Sequence, residues 1–251
     1  MVRPRIAVTL SNSDRAANPA VAVEKNGRYL SAIERHGATA VPLDERVPER
    51  TRDEALAAMD GLLITGGADL DPALYGEAPD GANPADPGRD ALDAVAFEAA
   101  NERGVPVLGV CRGLQAINVF SGGRLVQHLA HHESPPYPAR SAEATRHLLE
   151  LAPASRLATI LGGASQLEVN SFHHQAVAQD GLAAGLRASG LAPHEGGELI
   201  EALESEDPDR WLVAVQCHPE RVESTPAVMD ALWTAFVAAA AEKMGSAARP
   251  A

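Results

Sequence analysis

A cysteine stands in a short, glycine-flanked turn near the middle of the chain, in the run Gly109-Val110-Cys111-Arg112-Gly113. An apolar stretch over residues 105–108 precedes the turn, and a helix-like stretch over residues 114–120 follows it. A strand, a sharp turn and a helix in that order hold a nucleophile at the edge of a sheet. Unpaired N–H groups at the start of the helix would stabilise a thiolate, and the Arg112 N–H could bind an oxyanion. Taken alone, the turn fits a catalytic cysteine and a buried structural cysteine equally well.

A second group of candidate residues lies late in the chain, in the run Gln216-Cys217-His218-Pro219-Glu220. Residues two apart on an extended strand face the same side, so His218 and Glu220 are predicted to touch. His218 would then take the thiol proton of Cys111 and return it to a leaving amine, while Glu220 fixes the tautomer of His218. The competing interpretation is an ordinary strand-end histidine beside a solvated glutamate. Because Cys217 would point to the opposite face, it is predicted to be a small buried apolar residue.

The elements that must position these residues follow from short apolar runs alternating with helix-period stretches. This pattern predicts an α/β fold, a three-layer sandwich on a mainly parallel sheet. Predicted strands cover residues 6–10, 39–43, 61–65 and 105–110, and predicted helices cover 21–36, 50–59, 91–103 and 112–120. Later strand-like pieces cover residues 166–170, 185–189, 199–203 and 212–216, with a closing helix over 225–241. Since no long helices separate the later strands, they are predicted to form an antiparallel extension.

Length and charge limit the classes of protein to which the chain can belong. Its 251 residues fit one domain, predicted over residues 1–244, with a flexible tail over 245–251. The net charge of −13 argues against nucleic acid as a partner. No apolar run is long enough to span a bilayer, and the two cysteines make no disulfide framework, so we expect a cytoplasmic protein without membrane association. The expected partner is a small-molecule substrate, and a homodimer would be unsurprising.

Two histidine pairs, His131-His132 and His173-His174, raise the question of a metal site. Adjacent side chains diverge, and no accompanying His, Cys or carboxylate spacing of a zinc site is present, so the sequence predicts no metal. His131-His132 is predicted to lie in a polar loop, whereas His173 or His174 is predicted to bond to the substrate. Arg89-Asp90, at the start of a helix, is predicted to form a cap and an ion pair within the chain.

The Gly-x-Cys-x-Gly turn followed by a late His-Pro-Glu resembles the class I glutamine amidotransferase superfamily, whose fold is a flavodoxin-like sandwich. Further stretches resemble one branch of it, the gamma-glutamyl-gamma-aminobutyrate hydrolase family (peptidase C26). These stretches are Gly66-Gly67-Ala68-Asp69-Leu70-Asp71-Pro72, Tyr75-Gly76-Glu77, Asp86-Pro87-Gly88-Arg89-Asp90, Cys111-Arg112-Gly113-Leu114-Gln115 and Asn170-Ser171-Phe172-His173-His174-Gln175. The resemblance covers nearly the whole chain. Two small departures are Cys217, where the superfamily often has an aromatic residue, and Asp93, where the family commonly has glutamate.

The resemblance implies a role for each matching residue. Cys111 is the nucleophile, His218 the base and Glu220 the orienting acid. The N–H groups of Gly66 and Gly67 complete an oxyanion hole with that of Arg112. The remaining matches are implied to line the pocket for a gamma-glutamyl group, and they are Gln115, Asn170, Ser171, His173 and His174.

The implied reaction is hydrolysis of a gamma-glutamyl amide, such as gamma-glutamyl-gamma-aminobutyrate, through a glutamyl thioester and without a cofactor. It releases glutamate and an amine, which would serve polyamine catabolism and putrescine degradation. Two alternatives stay open at this point. One is a glutaminase subunit that passes ammonia to a separate synthase, and the other is a non-catalytic binding protein of the same fold.

Overall fold

The computed structural model describes residues 2–130, 145–195 and 197–247. The predicted polar loop with His131-His132 lies outside the described residues, as do residues 248–251 of the predicted tail. In the described ranges, no helix is both long enough and apolar enough to cross a membrane.

Ten strands and six α-helices form within these residues. The strands are β1 (Arg5–Thr9), β2 (Thr39–Leu43), β3 (Gly61–Ile64), β4 (Val107–Val110), β5 (Thr145–Leu151), β6 (Gln166–Ser171), β7 (Val177–Ala178), β8 (Leu186–His194), β9 (Gly197–Ser205) and β10 (Leu212–Val215). The helices are α1 (Pro19–Arg35), α2 (Glu49–Ala57), α3 (Pro87–Arg103), α4 (Arg112–Phe120), α5 (Arg156–Ile160) and α6 (Asp230–Ala247).

All ten strands belong to one sheet with a parallel half and an antiparallel half. The order is β2-β1-β3-β4-β10-β9-β8-β5-β6, and β7 pairs with β9 off this path. Strands β2, β1, β3, β4 and β10 run parallel to one another. Strand β10 also pairs antiparallel with β9, so it joins the two halves. The predicted α/β fold with a mainly parallel sheet and an antiparallel extension is confirmed.

The central strands are apolar because both faces of the sheet are covered. Every residue of β3, β4 and β10 is buried. On one face a hydrophobic cluster includes Ile33 of α1 and Trp233 of α6, and on the other a cluster includes Phe97 of α3 and Ile117 of α4. The molecule therefore has the three layers that the sequence predicts.

Helix boundaries differ from the prediction where local capping decides them. Helix α3 begins at Pro87 and not at residue 91, because the Asp86 side chain accepts a hydrogen bond from the Arg89 N–H and proline suits the first turn. Helix α6 begins at Asp230 and extends through Ala247, into the segment predicted as a tail. Strand β5 and the one-turn helix α5 were not predicted from the sequence. Only Leu149 and Leu151 of β5 are buried, so this strand shows little of the apolar alternation by which a strand is recognised.

Candidate active site

Cys111 occupies a sharp turn between β4 and α4. Its backbone has φ 54° and ψ −109°, and in the described ranges only one other non-glycine residue, Ala154, has positive φ. Such a conformation costs energy, and strain of this kind concentrates at functional sites. The Cys111 N–H donates to the Val215 carbonyl oxygen at 2.8 Å, which ties the turn to the end of β10. The cysteine is thus presented as the strand–turn–helix pattern predicts.

The two glycines beside this turn are required by close packing. A Cβ on Gly113 would overlap the carbonyl oxygen of Ile64, at the end of the neighbouring strand β3. A Cβ on Gly109 would lie 2.6 Å from Ile117 Cδ1 and 2.9 Å from Ala214 Cβ. Neither residue has positive φ, so the need for glycine here is close approach and not backbone freedom.

His218 and Glu220 meet the cysteine at this edge of the sheet. His218 Nδ1 lies 2.7 Å from Glu220 Oε1, and His218 borders the same cavity as Cys111. Cys111, His218 and Glu220 are all buried, with 7%, 5% and 5% of their surface exposed. Strand β10 ends at Val215, so the His-Pro-Glu run lies in a turn and not on the extended strand assumed from the sequence. The backbone conformation of this turn brings the side chains of His218 and Glu220 into contact.

Asn170, at the end of β6, holds the backbone of His218 in place. Its Oδ1 accepts from the His218 N–H at 2.8 Å, and its Nδ2 donates to the His218 carbonyl oxygen at 3.1 Å. Thr225 Oγ1 donates to the same carbonyl oxygen at 2.6 Å. Asn170 and its buried neighbour Ser171 lie behind the histidine and outside the walls of the two cavities that adjoin Cys111. The structure gives Asn170 a positioning role, not the substrate contact that the resemblance implied.

The charges around His218 favour its protonated form. Burial alone would lower the pKa of His218, but the charges of Glu220 and Cys111 outweigh burial and raise that pKa to about 9. Burial opposes ionisation of Glu220 as well, yet His218 and Arg221 hold the pKa of Glu220 below its ordinary value. The imidazole therefore carries a proton over the neutral range, which is the state that stabilises a thiolate at Cys111.

Titration of His218 provides a test of this electrostatic arrangement. We expect the His218 ring proton signals to titrate with a midpoint of about 9 in NMR spectra. In Glu220→Gln the midpoint should fall by at least about one pH unit, because an amide supplies no negative charge. Glu223→Gln, which alters an exposed partner of Arg28 three residues further on, should leave the midpoint unchanged. Equal midpoints in the protein and in Glu220→Gln would contradict this arrangement.

The same charge state makes stability depend on pH. His218 has an ordinary pKa of 6.5 and a folded-state value of about 9, so its contribution to stability is complete below about pH 6.5. That contribution is lost as the pH rises through about 9.

Backbone N–H groups face the cysteine from two elements. The Arg112 N–H is at the first position of α4, where the helix itself supplies no acceptor. The Gly66 N–H already donates to Tyr29 Oη at 3.2 Å. Gly67 has no such bond among the described residues, and both glycines border the cavity at Cys111. Among these three N–H groups, those of Arg112 and Gly67 thus have no acceptor within the described residues.

Tyr29, on α1, is a site residue that the sequence reasoning missed. Its hydroxyl accepts from Gly66 and lies 3.4 Å from His218 Nδ1, so it connects the Gly66 turn with the histidine. A Cβ on Gly66 would lie 2.8 Å from this hydroxyl, which explains the glycine. Nothing in the local helical sequence around Tyr29 indicates this contact, because it depends on how α1 packs on the sheet.

A chain of amides also reaches the sulfur. Gln216 Nε2 lies 3.5 Å from Cys111 Sγ and can donate to it, and Gln216 Oε1 accepts from Gln115 Nε2 at 3.1 Å. Gln115 Nε2 donates in addition to the Gln175 carbonyl oxygen at 2.9 Å. The sequence pointed to Gln115 but not to Gln216. The available signal was the place of Gln216 in the late motif, two residues before His218.

Behind the turn lies a buried network of four charges. Arg112 pairs with Asp90 and Asp93, and Arg89 Nε donates to Asp93 Oδ1 at 2.9 Å. Arg89 also reaches the Thr65 carbonyl oxygen, directly before the Gly66 turn. Two cations and two anions balance, and all four residues are nearly inaccessible. The network fixes the first residue of α4 against α3 and against the end of β3.

Two cavities meet at Cys111, and Gly67, Ala68 and Phe172 border both of them. The smaller cavity, of about 280 Å³, is lined by Gln115, His173 and His174 among others. The larger, of about 510 Å³, is also bordered by His218 and Glu220. Its charged lining residues other than histidine are four cations and two acids, and they are Arg15, Lys25, Arg28, Arg221, Asp86 and Glu220. A substrate with its reacting carbonyl at Cys111 could extend into both cavities.

The two adjacent histidines point to different partners, as their positions on an extended segment predict. His174 Nε2 lies 2.9 Å from Asp69 Oδ2, at the edge of the smaller cavity. His173 turns inward toward Glu201 of β9, with 3.4 Å between Nε2 and Oε1. Cys217 is buried in the hydrophobic cluster on one face of the sheet, and burial raises its pKa well above the ordinary value for a thiol.

The sequence profile of the peptidase C26 family matches residues 4–220, a range that includes the cysteine turn and the late histidine. The chain belongs to the peptidase C26 family. The similar gamma-glutamyl-gamma-aminobutyrate hydrolase PuuD of Escherichia coli K12 is 30% identical over 221 residues, or 84% of each chain. A candidate glutamine amidotransferase of Mycobacterium tuberculosis is 39% identical over 198 residues, which are 77% of this chain and 61% of that longer relative.

Solved structures place this peptidase C26 member among glutaminase-type folds. The glutaminase domain of Trypanosoma brucei CTPS, solved with bound acivicin, superimposes with a TM-score of 0.67. The superposition covers 95% of this chain and 94% of that chain at 18% identity. This likeness bears on the fold alone. The family and its relatives identify a C–N hydrolase of the glutamine amidotransferase-like type.

Proposed function

We propose that this peptidase C26 member hydrolyses gamma-glutamyl amides, with Cys111 as nucleophile, His218 as acid and base, and Glu220 as the orienting carboxylate. The observation that carries the proposal is the hydrogen-bonded pair of His218 and Glu220 on the same cavity wall as Cys111, at a point where two cavities meet. Nucleophile, base and orienting group in hydrogen-bonding sequence are the recurring arrangement of acyl-transfer enzymes.

The proposed reaction begins when the Cys111 thiolate attacks the side-chain carbonyl carbon of the gamma-glutamyl group. The N–H groups of Arg112 and Gly67 bind the oxyanion of the tetrahedral intermediate. When the C–N bond breaks, His218 donates its proton to the departing amine and a glutamyl thioester is left on Cys111. His218 then takes a proton from water, whose attack on the thioester breaks the C–S bond, releases glutamate and regenerates the thiolate and imidazolium pair.

The parts of the substrate on the two sides of the scissile C–N bond would occupy different cavities. The glutamyl group fits the smaller cavity, where Gln115 and His174 supply polar atoms. The leaving amine then lies in the larger cavity, among Lys25, Arg28 and Arg221. The guanidinium of Arg221 is stacked over the Phe172 ring at 3.8 Å, beside the mouth shared by both cavities.

An excess of cations in the larger cavity favours a leaving amine that carries a carboxylate. Gamma-aminobutyrate meets this requirement, whereas putrescine and spermine leave a further positive charge that Lys25 and Arg221 would repel. The name of the Escherichia coli relative points to the same substrate. We therefore propose gamma-glutamyl-gamma-aminobutyrate as the preferred substrate. The protein would then act in putrescine degradation, because the reaction releases gamma-aminobutyrate.

A panel of gamma-glutamyl amides assayed with the isolated chain tests the proposal. Lys25→Gln should lower kcat/KM for gamma-glutamyl-gamma-aminobutyrate by at least about 10-fold, the effect of losing one charged hydrogen bond. It should change hydrolysis of glutamine, whose leaving group is ammonia, by less than about twofold. Lys243→Gln provides the matched control, because Lys243 is the chain's other lysine and lies on the distant helix α6.

Different failures in this panel have different meanings. Equal losses on both substrates would overturn the carboxylate preference but leave the hydrolase intact. Turnover of glutamine only after addition of a synthase would identify a glutaminase subunit. No turnover of any gamma-glutamyl amide, with or without a synthase, would leave the non-catalytic binding protein as the better description.

A further inference from the structure

Three side chains outside the proposed triad converge in the antiparallel half of the sheet. They are His147 of β5, His173 just after β6 and Glu201 of β9. Glu201 and His173 are 1% and 5% exposed, and His147 is partly buried. One ligand atom from each residue lies within 4.8 Å of the others. None of the three belongs to the proposed triad of Cys111, His218 and Glu220 or hydrogen-bonds to it.

Both histidines present the same ring nitrogen to this cluster. His173 Nδ1 lies 2.9 Å from the Gln175 carbonyl oxygen, and His147 Nδ1 lies 3.4 Å from the Leu148 carbonyl oxygen. A carbonyl oxygen only accepts, so in the neutral rings Nδ1 carries the proton and Nε2 presents its lone pair. Burial lowers the pKa of His147, which keeps that ring neutral. An Nδ1–H bound to a backbone carbonyl is the usual support of a histidine that binds a metal through Nε2.

The Glu201 carboxylate faces both lone pairs. Its Oε1 lies 3.4 Å from His173 Nε2, and its Oε2 lies 3.5 Å from His147 Nε2. Oε2 is fully buried and has no hydrogen-bond partner among the described residues. Burial raises the pKa of Glu201 to about 8, because loss of water penalises its ionised form.

These distances suit a cation at the centre of the cluster. Nitrogen and carboxylate ligands bind Zn²⁺ at about 2.0–2.2 Å, so two ligands in tetrahedral geometry lie about 3.4 Å apart. We propose that His147, His173 and Glu201 bind one divalent transition-metal ion of the Zn²⁺ class. Two imidazoles and one carboxylate are a donor set that such ions favour over Ca²⁺ and Mg²⁺.

The proposed site departs from the sequence prediction of no metal. Adjacent histidines do diverge, which argued against a metal, but divergence is what sends His173 alone into this cluster. Its two partners come from strands β5 and β9, at separations that no local spacing motif reveals. Because His173 also borders the smaller cavity, the ion would hold one wall of that cavity in place.

Zinc binding to the full chain, freed of metal with a chelator, tests the proposal by calorimetry. The measurement is made in a Cys111→Ala background, which removes a thiolate that could itself bind zinc. We expect one Zn²⁺ per chain and a rise in the melting temperature with added Zn²⁺. Co²⁺ should occupy the same site and show the visible absorption of a low-coordinate complex.

Substitutions in the cluster then locate the ion. Glu201→Gln and His147→Ala should each weaken Zn²⁺ binding by more than about 100-fold, because losing a ligand costs more than losing an outer-shell partner. His174→Ala is the matched control, since it removes the adjacent histidine that pairs with Asp69, and it should retain full stoichiometry. If Glu201→Gln does not fold, His147→Ala alone decides, because His147 lies at a partly exposed position. Absence of stoichiometric binding, or binding unchanged in the cluster variants, overturns the proposal.

Discussion

Cys111→Ala is expected to lower the hydrolysis of gamma-glutamyl amides by at least about 10⁴-fold, since loss of a covalent nucleophile leaves only the binding and oxyanion contributions. The substitution removes the sulfur and keeps the backbone turn, so the free energy of unfolding should change little by comparison. Steady-state assays with gamma-glutamyl-gamma-aminobutyrate measure the loss, and urea denaturation checks the fold.

The second cysteine provides the control for this experiment. Cys217→Ala should keep hydrolysis within about tenfold of the unaltered chain, because Cys217 is packed in the hydrophobic cluster and its thiol stays protonated. An electrophilic glutamine analogue should label Cys111 and leave Cys217 unmodified. Substantial hydrolysis by Cys111→Ala, or labelling at Cys217, would contradict the proposed mechanism.

Asp93→Asn is expected to lower the free energy of unfolding by about 3–5 kcal/mol, the cost of breaking a buried ion pair from one side. Asp93 is completely buried and contacts both Arg89 and Arg112. An amide would leave two buried guanidinium groups with Asp90 as the one carboxylate of the network. Urea or thermal denaturation at pH 7 measures the change.

An exposed ion pair shows what the same chemical change costs in water. Glu54→Gln removes a partner of Arg50 on helix α2, where both side chains are well exposed, at 65% and 91%. Its effect should stay within about 0.5 kcal/mol. If Asp93→Asn costs no more than Glu54→Gln, the buried network does not stabilise the turn at Cys111, and the account given for Arg112 is wrong.

The sequence predicted those features that depend on local pattern. Apolar runs indicated the central strands because both faces of the sheet are buried, and the glycine-flanked cysteine predicted the turn between β4 and α4. The positions of Cys111, His218 and Glu220 at the edge of the sheet could also be predicted from the sequence, because each residue follows a predicted strand. Their catalytic assignment stays a proposal that the cysteine and histidine experiments test.

Features that depend on packing between distant parts of the chain could not be predicted from the sequence. Tyr29 reaches the site through the packing of α1, and Gln216 reaches it through the register of β10 beside β4. Asn170 lies close to the pocket in sequence, yet its amide is used by the His218 backbone. The start of α3 was misplaced because the Asp86 cap, and not apolar periodicity, decides where that helix begins.

Strand β10 lies between β4 and β9, and its place in the sheet sets an order on how the site is assembled. Val215 pairs with Val110, so the turn that carries His218 begins directly beside the turn that carries Cys111. A ribosome completes residues 212–220 only after the other nine strands have been made. Until that last strand inserts, Cys111 lacks both the contact with Gln216 and His218 as a neighbour. Under the proposed mechanism, we therefore expect a reactive thiol only in a chain whose strand β10 has joined β4 and β9.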